Sequence, residues 1–177
     1  MTHYTLQKRC ILDRLEVRQA TEADTGAVMN LLAKTAEWLH SQGSTQWNSL
    51  LSGEDVHGTS NAIIRGDVFV FHEGGTLAAV VMLLKHPSPW DIELWGNEGH
   101  DSSIYVHRLA INRDYAGSGL GSSVMEWVEN GIEFTGKHQI RLDCIEENMR
   151  LFSFYSSLGY THRGIKNGFH LFEKSRS

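Results

Sequence analysis

Hydrophobic and polar positions alternate with two different periods along the chain, and the period predicts the order of helices and strands. Residues 15–19 form a short strand candidate. Thr21 follows and is suited to cap a helix, with Asp24 as its partner three residues later. Apolar residues then recur at helical spacing: Val28, Leu31, Leu32 and Leu39. Residues 43–44 break this pattern, and a second, less regular helical region is expected over 47–65.

From residue 68 onward the pattern is that of strands. An apolar run over 68–71, a glycine pair at 74–75 and a second apolar run over 77–84 predict a β-hairpin. The acidic and aromatic segment 90–101 gives no clear assignment. Residues 104–111 form a strong strand candidate.

The last third of the chain continues the alternation of helices and strands. The elements predicted there are a helix from about 119 to 134, a strand over 140–144, a helix over 147–158, and strands around 160–164 and 169–173. Gly159 closes the second helix, and Asn167 with Gly168 supplies the final turn. The predicted order is β-α-α-β-β-β-α-β-α-β-β. Without an internal repeat or a linker, this order predicts one domain over residues 1–177.

Charge and composition narrow the classes of function. The 177 residues carry a formal net charge of -5, which argues against a nucleic-acid binder and would weakly attract a cationic substrate. No apolar run reaches the ~20 residues that cross a bilayer, and the first residues lack a signal-peptide core. We therefore expect a cytoplasmic protein that binds neither nucleic acid nor membranes.

The cysteines and histidines give no metal or disulfide pattern. Cys10 and Cys144 are too few for a disulfide framework, and they do not form a zinc-binding pair. The ten histidines are scattered without the spacing of a metal site, so no metal is expected. Cys144 follows an apolar strand without an evident histidine partner, which favours a buried structural cysteine over a nucleophile.

A glycine-rich turn between a strand and a helix is the first chemical signal. Gly117, Gly119 and Gly121 allow a tight turn and close approach of a ligand, and the helix start favours phosphate. The turn matches neither the GxGxxG pattern of dinucleotide-binding domains nor a P-loop, because the required third glycine and the lysine are absent. A plain strand-to-helix turn remains the alternative when this segment is taken alone.

With its neighbours, the turn resembles the pyrophosphate-binding motif of the GNAT N-acetyltransferases, Arg/Gln-x-x-Gly-x-Gly/Ala after a strand that ends in Leu-Ala-Val. Leu109-Ala110-Ile111 matches the strand end, and Gly119 and Gly121 match the two glycine positions. A second segment, residues 141–160, resembles the other hallmark of the family. Two positions depart from the pattern: Ala116 replaces the Arg or Gln, and Ser118 replaces a frequent lysine.

The resemblance covers nearly the whole domain and implies the GNAT fold: an α/β (α+β) domain with a central mixed, mostly antiparallel sheet of about six to seven strands and about four helices. It implies acetyl-CoA as co-substrate, with the strand backbone at Leu109 and Ile111 holding pantetheine and the glycine turn holding pyrophosphate. Asn148 would bond the pantetheine arm, although a simple helix N-cap is a serious rival role. Arg113 could supply a compensating charge, or could be a solvated turn residue. The cofactor-binding residues implied are Leu109, Ala110, Ile111, Arg113, Gly117, Ser118, Gly119, Leu120, Gly121, Ser122, Asn148 and Phe152.

The resemblance also assigns the proton-transfer groups. A tyrosine at the position of Tyr155 protonates the departing thiolate in this family, and a phenol with a reference pKa near 10 is protonated at neutral pH. The substrate ammonium must lose its own proton before attack. His107 is the candidate base, since serotonin acetyltransferases of the family carry a histidine at the corresponding strand position. A histidine hydrogen-bonded within the sheet is the alternative; Glu93 and Glu98 are weaker candidates.

The acceptor pocket of this fold is usually built from the first two helices, the strand of His107 and the last hairpin. That placement nominates Trp38, Trp47, Tyr105 and the segment 90–101 for substrate binding. The aromatic residues, with Glu37, Asp91 and Glu93 nearby, could hold a cation. Core packing is the alternative for the tryptophans. The expected reaction is acetyl-CoA-dependent, direct transfer of an acetyl group to the primary amine of a small molecule such as an amino acid or a polyamine. A homodimer is plausible.

Two other classes of protein remain open at this point. A non-catalytic acyl-CoA-binding or regulatory module on the same fold would bind the cofactor without amine-dependent release of thiol. A nucleotide-binding α/β domain would need a parallel sheet and a true phosphate motif, which the glycine pair at 74–75 and the missing lysine disfavour.

Overall fold

The computed structural model describes residues 4–45, 47, 50, 51 and 58–176. The helices are α1 (Thr25–Ser41), α2 (Thr59–Arg65), α3 (Pro89–Trp95), α4 (Leu120–Asn130) and α5 (Met149–Ser157). The strands are β1 (Tyr4–Leu6), β2 (Cys10–Ile11), β3 (Leu15–Gln19), β4 (Val68–Glu73), β5 (Thr76–Leu84), β6 (Ser103–Ile111), β7 (Ile132–Phe134), β8 (Gln139–Ile145), β9 (Thr161–Lys166) and β10 (Phe169–Ser175). In this part of the chain no helix combines the length and apolarity needed to cross a bilayer.

Eight strands form one mixed sheet in the order β2-β3-β4-β5-β6-β8-β10-β9. Neighbouring strands are antiparallel except β6 and β8, which are parallel. β1 and β7 form a separate antiparallel pair. The mixed, mostly antiparallel fold predicted from the sequence is confirmed, with one more strand in the large sheet than the largest number expected.

Alternating apolar residues let the sheet bury both of its faces. On one face, side chains such as Phe69 and Val81 pack against α4 and α5, where Trp127 and Tyr155 are also buried. On the other face, Val70, Val80 and Met82 pack against α1 and α2. The uninterrupted apolar runs at 68–71 of β4 and 77–84 of β5 follow from this, because strands covered on both sides bury consecutive residues.

A β-bulge interrupts β6 at Arg108. Val80 pairs with Ala110 while Met82 pairs with His107, so Arg108 and Leu109 together lie opposite one residue of β5. Arg108 has a φ of 53°, a left-handed conformation that the bulge imposes on a non-glycine residue. Before the bulge the odd-numbered residues of β6 face α1 and α2, and after it the even-numbered residues do.

β6 and β8 separate soon after they meet. Their parallel ladder covers only Ser103–Tyr105 of β6, whereas β8 stays paired with β10 as far as Ile145. The later half of β6 therefore has its β8-facing edge turned toward a gap in the sheet.

Several predicted boundaries were wrong. The helix expected over 119–134 ends at Asn130, because Gly131 caps it and Ile132–Phe134 instead pairs with the unpredicted β1. The unassigned segment 90–101 contains α3, which begins with a capping box between Ser88 and Asp91. The predicted region 47–65 falls partly on residues 48, 49 and 52–57, outside the described residues; its described helix is α2.

Candidate active site

A cavity of about 800 Å³ occupies the place where β6 and β8 separate. Because it lies in a gap of the sheet, residues from both faces line it. From the α4–α5 face come Leu109, Ile111, Gly121, Arg150, Leu151, Phe154 and Tyr155. From the α1–α2 face come Thr35, Trp38, Trp47, Trp90, His107, Arg108, Asp143 and Phe169. We call the two parts the helix-5 half and the helix-1 half.

His107 is held in the helix-1 half by a buried carboxylate. Its Nε2 lies 2.9 Å from Oδ1 and 3.1 Å from Oδ2 of Asp91, whose exposed fraction is 1%. Since a carboxylate only accepts hydrogen bonds, Nε2 carries the proton and the imidazole orientation is fixed. Asp91 is itself fixed, because its Oδ2 accepts hydrogen bonds from the backbone N–H and the hydroxyl of Ser88.

Two carboxylates determine the protonation of this histidine. Burial lowers the pKa of His107, but the hydrogen bond and charge of Asp91, followed by the charge of Asp143, outweigh burial and raise the pKa above its usual value. Burial raises the pKa of Asp143 to about 6, against the opposing effects of His107 and a side-chain hydrogen bond from Trp90. His107 and Asp143 therefore each favour the charged form of the other.

The same three side chains are close enough for a cation. One ligand atom from each of Asp91, His107 and Asp143 lies within 4.8 Å of the others. The expectation that the protein uses no metal accordingly stays a prediction.

Tyr155 occupies the helix-5 half. Its side chain is buried at the cavity wall, and burial, followed by the charges of Cys144 and Asp143, raises the pKa of its phenol far above the usual value near 10. The hydroxyl is therefore protonated at every physiological pH and can donate a hydrogen bond. Cys144 is buried in the core, and burial raises the pKa of its thiol to about 12, so it is not a thiolate nucleophile.

The glycine turn lies at one end of the helix-5 half. Gly119 caps α4 with a φ of 76°, and Gly121 lines the cavity, where an added Cβ would lie 3.5 Å from the ring of Phe154. The Ser118 hydroxyl donates to the carbonyl of Tyr115 within the turn. Two cations lie nearby: Arg113, stacked 4.0 Å from the ring centre of Trp38, and Arg150 on α5.

The structure brings many of the predicted site residues to this cavity. They are Trp38, Trp47, His107, Leu109, Ala110, Ile111, Arg113, Gly121 and Tyr155. Gly117, Ser118, Gly119, Leu120 and Ser122 belong to the adjoining turn and helix start but do not line the cavity wall.

The remaining three predicted residues belong neither to the cavity wall nor to the glycine turn. Asn148 is the N-cap of α5, with its Oδ1 accepting from the backbone N–H of Leu151 at 3.1 Å. Phe152 packs against the rings of His162, His170 and Phe172, while Phe154 occupies the cavity wall instead. Tyr105 does share the face of His107 but is fully buried, and its hydroxyl accepts a hydrogen bond from Arg141 at 3.1 Å.

Sequence reasoning missed Asp143, Arg108 and Arg150. It named Asp91 only as an acidic neighbour of the pocket aromatics and missed its contact with His107. Asp91 lies in a segment without a clear periodicity, although Ser88-Pro89 followed by Asp91 has the spacing of a capping box. Arg108 could not be assigned to the face of His107, because strict alternation along a strand places neighbours on opposite faces.

A cavity through a sheet at diverging parallel strands, bordered by a glycine turn at a helix start, defines an acyltransferase site of the GNAT type. One end of the cavity has the glycine turn with Arg113 and Arg150 nearby, and the other has the Asp91–His107 pair.

Comparison with known proteins agrees with this class. The model of the acetyltransferase (GNAT) family matches residues 31–160, and the chain belongs to this family. It is 47% identical over 175 residues to the uncharacterized N-acetyltransferase YesJ of Bacillus subtilis (strain 168), covering 98% of this chain and 97% of that protein. The protein is thus an acetyltransferase enzyme, and acetyl-CoA-dependent acetyl transfer is its class of reaction.

Solved structures share the fold. A GNAT-family acetyltransferase from Listeria monocytogenes 4b F2365 is 34% identical and superimposes with a TM-score of 0.74, covering 94% of this chain and 98% of that chain. YncA from Salmonella typhimurium, solved with its cofactor acetyl-CoA, is 17% identical with a TM-score of 0.63, covering 93% of this chain and 95% of that one. This second likeness shows the fold.

Proposed function

We propose that the protein transfers the acetyl group of acetyl-CoA directly to the primary amine of a small molecule, with His107 as the base and Tyr155 as the acid. The observation that carries this proposal is the cavity itself, which passes through the sheet with the Asp91–His107 pair in one half and the Tyr155 phenol in the other. An amine and a thioester approaching from opposite faces would meet between these two groups.

Binding of the thioester would rest on the backbone and on charge. Acetyl-CoA, when bound, supplies the acetyl thioester that the amine attacks. The later half of β6, at Leu109–Ile111, would offer its unpaired edge to the pantetheine amides, and the α4 N-terminus would offer backbone N–H groups to pyrophosphate. Arg113 and Arg150 supply positive charge that Ala116 and Ser118 do not. The residues present therefore fit this co-substrate.

Deprotonation of the amine would occur in the helix-1 half. An alkylammonium has a reference pKa near that of lysine, about 10.4, so it arrives charged and is attracted to Asp143. His107 would accept the proton directly or through a water, and Asp91 would stabilise the imidazolium that forms. Asp91 acts here as a positioning residue, because it contacts the base and not the amine.

Departure of the thiolate would be assisted from the helix-5 half. The CoA thiol has a reference pKa near 8.5, well below that of Tyr155, so the phenol acts chiefly by hydrogen bonding to sulfur as negative charge develops. Positioning of the amine against the thioester would supply much of the remaining rate.

The cavity favours a small acceptor over a protein lysine. Its helix-1 half is bordered by the aromatic rings of Trp47, Trp90 and Phe169, and Trp90 meets Phe169 edge to face with 4.9 Å between ring centres. Trp38, in contrast, stacks on Arg113 at the side of the glycine turn. Small amines are therefore the acceptors to test first.

The deciding experiment measures CoA thiol release from acetyl-CoA against amino acids, polyamines and short peptides, with Tyr155→Phe beside the wild type. We expect amine-dependent release, and a fall in kcat of about 10²–10³-fold in Tyr155→Phe, the usual contribution of a hydrogen-bond donor positioned at a developing negative charge. Tyr160→Phe is the matched control: Tyr160 is also buried in the core, yet it does not line the described cavity. Its kcat should stay within about threefold of wild type.

Other outcomes separate the remaining possibilities. Equal losses in the two variants would mean that the Tyr155 effect is one of packing. If acetyl-CoA raises the melting temperature while no amine releases thiol, the chain is a binding module on this fold.

A further inference from the structure

The wall of the helix-1 half contains a carboxylate without a fixed cationic partner. Asp143 lies on β8, and its side chain lines the cavity. Among the described residues, no lysine or arginine forms an ion pair with it. Removing a carboxylate from water costs free energy unless an opposite charge lies near it. The described part of the chain thus leaves this charge for another partner to neutralise.

The cationic residue of the same strand is bound elsewhere. Arg141 precedes Asp143 by two positions, so its side chain lies on the same face of the sheet. Its Nε donates to Glu173 at 2.9 Å, and its Nη1 donates to the carbonyl of Glu98 and the hydroxyl of Tyr105. Glu173 is therefore the counterion of this guanidinium.

Asp143 is held in place without being neutralised. Burial raises the pKa of its carboxyl to about 6, while His107 and a side-chain hydrogen bond from Trp90 act to lower that pKa. The carboxyl is therefore still ionised at neutral pH. In the proposed mechanism His107 is neutral when the acceptor binds. Asp143 is then an oriented anion that has no ion-pair partner among the described residues.

An ammonium is the partner that fits this arrangement. An alkylamine has a reference pKa near that of lysine, about 10.4, so it reaches the site as a cation with N–H donors. A carboxylate accepts such hydrogen bonds through both oxygens. A weakly basic amine or an alcohol would arrive uncharged and would leave Asp143 without a counterion. The cost of that unpaired charge would then weaken its binding.

We infer that Asp143 is the residue that selects the acceptor: it binds the ammonium of a strongly basic alkylamine and excludes amines and alcohols that are uncharged at neutral pH. This inference rests on the proposed function, because it names the substrate class of the same site. Asp143 acts beside the base and does not replace it. The acetylated product is a neutral amide, which lacks this ion pair and is therefore released more readily than the amine.

The test compares ligands that carry either an ammonium or a hydroxyl on the same skeleton. The pairs are isopentylamine with isopentanol, phenethylamine with phenethyl alcohol, and L-leucine with its α-hydroxy acid. Each ligand is measured at pH 7.5 as a competitor of acetyl transfer to the best acceptor of the amine panel. For the wild-type enzyme we expect at least one amine to compete about 30-fold or more better than its alcohol, the usual loss when a buried charge is left without its partner.

Variants locate the source of this preference. Asp143→Asn keeps the shape of the side chain and can still accept the hydrogen bond from Trp90. In this variant the preference should fall to about threefold or less through weaker binding of the amine, while the inhibition constant of the alcohol and the KM for acetyl-CoA stay near wild type. Glu147→Gln is the matched control, because Glu147 follows the same strand but is exposed and does not line the cavity. Its preference should equal that of wild type.

Three results would overturn the inference. Alcohols that compete as well as their amines against wild-type enzyme would do so, and this result needs no variant. A preference that survives Asp143→Asn would also do so. Loss of acetyl transfer on addition of EDTA would mean that a metal ion, and not the acceptor, is the partner of Asp143. Each of these leaves the proposed function standing while amines cause release of thiol; absence of release with every amine would overturn the proposed function, and the inference with it.

Discussion

At the level of single residues, the environment of His107 decides how the site handles protons. Asp91 holds one ring nitrogen, Asp143 faces the ring, and Arg108 follows it in the chain. The two carboxylates favour the imidazolium, whereas burial and Arg108 favour the neutral ring. In the proposed mechanism His107 must be neutral to accept a proton, so the balance among these four groups would set the pH at which the enzyme becomes active.

The acidic limb of the kcat–pH profile should follow this balance. Because Asp91 raises the pKa of His107, Asp91→Asn should lower it and move the limb to lower pH, while kcat at its plateau falls about 10-fold or more through loss of orientation. His107→Gln should abolish the limb. A purely structural role for Asp91 would lower kcat without moving the limb.

The measurement is kcat from pH 5 to 9 at saturating substrates, with Asp13→Asn as the control. Asp13 is exposed on a loop before β3, so its variant should keep the wild-type profile. A limb that stays in place in Asp91→Asn would contradict the assignment of His107 as the titrating base.

At the level of elements, two glycines at the start of α4 have different roles. Gly119 is needed for its backbone conformation, whereas Gly121 keeps space open in the cavity. Gly119 has a φ of 76°, which costs an L-residue about 1 kcal/mol or more. Gly121 lies within the helix without a positive φ, and an alanine there would make only ordinary contact with Phe154. The two positions should therefore respond differently to the same substitution.

Gly119→Ala should lower the melting temperature by about 2–4 °C, the equivalent of about 1 kcal/mol for a chain of this size. Gly121→Ala should leave it within about 1 °C and instead raise the KM for acetyl-CoA, because its methyl group projects into the cavity. Thermal unfolding and initial rates measure the two effects. If both alanines lowered the melting temperature equally, the two glycines would be required for the same packing reason, and the distinction between them would be wrong.

At the level of the whole molecule, a buried ion pair ties together three parts of the fold. Arg141 on β8 donates from Nε to Glu173 on β10 at 2.9 Å, and from Nη1 to the carbonyl of Glu98 at 3.0 Å. Both charged side chains are about nine-tenths buried. The pair therefore holds the segment that follows α3 against the central strands. Asp91 lies in α3 itself, so the pair also supports the position of Asp91.

Glu173→Gln should destabilise the protein by about 3 kcal/mol, because it leaves the Arg141 charge buried without its counterion. Urea unfolding measures this change. Glu16→Gln is the control, since the Glu16 side chain is 76% exposed and its contact with His72 is long, at 3.8 Å; such pairs contribute roughly 0–1 kcal/mol. Similar losses of unfolding free energy in Glu173→Gln and Glu16→Gln would refute the distinction between the buried and the exposed ion pair.

Local sequence signals found most of the elements because those signals act over a few residues. The strands at 68–71 and 104–111 and the turn at Asn167–Gly168 were all recognisable from periodicity and turn chemistry. β1 and β7 were missed, since three-residue strands have little pattern of their own and become strands by pairing across the molecule.

The sequence by itself determined the class of the protein. Three features were sufficient to identify the GNAT family: the glycine turn after Leu109-Ala110-Ile111, the segment around Tyr155 and the order of elements. Each of these features depends on residues that are close together in the chain. Tertiary structure alone decided the site's electrostatics. The contact of Asp91 with His107 joins residues sixteen positions apart. The orientation of Arg108 depends on a bulge that breaks strand alternation. Hydrogen bonding across the sheet, which no local pattern encodes, creates both features.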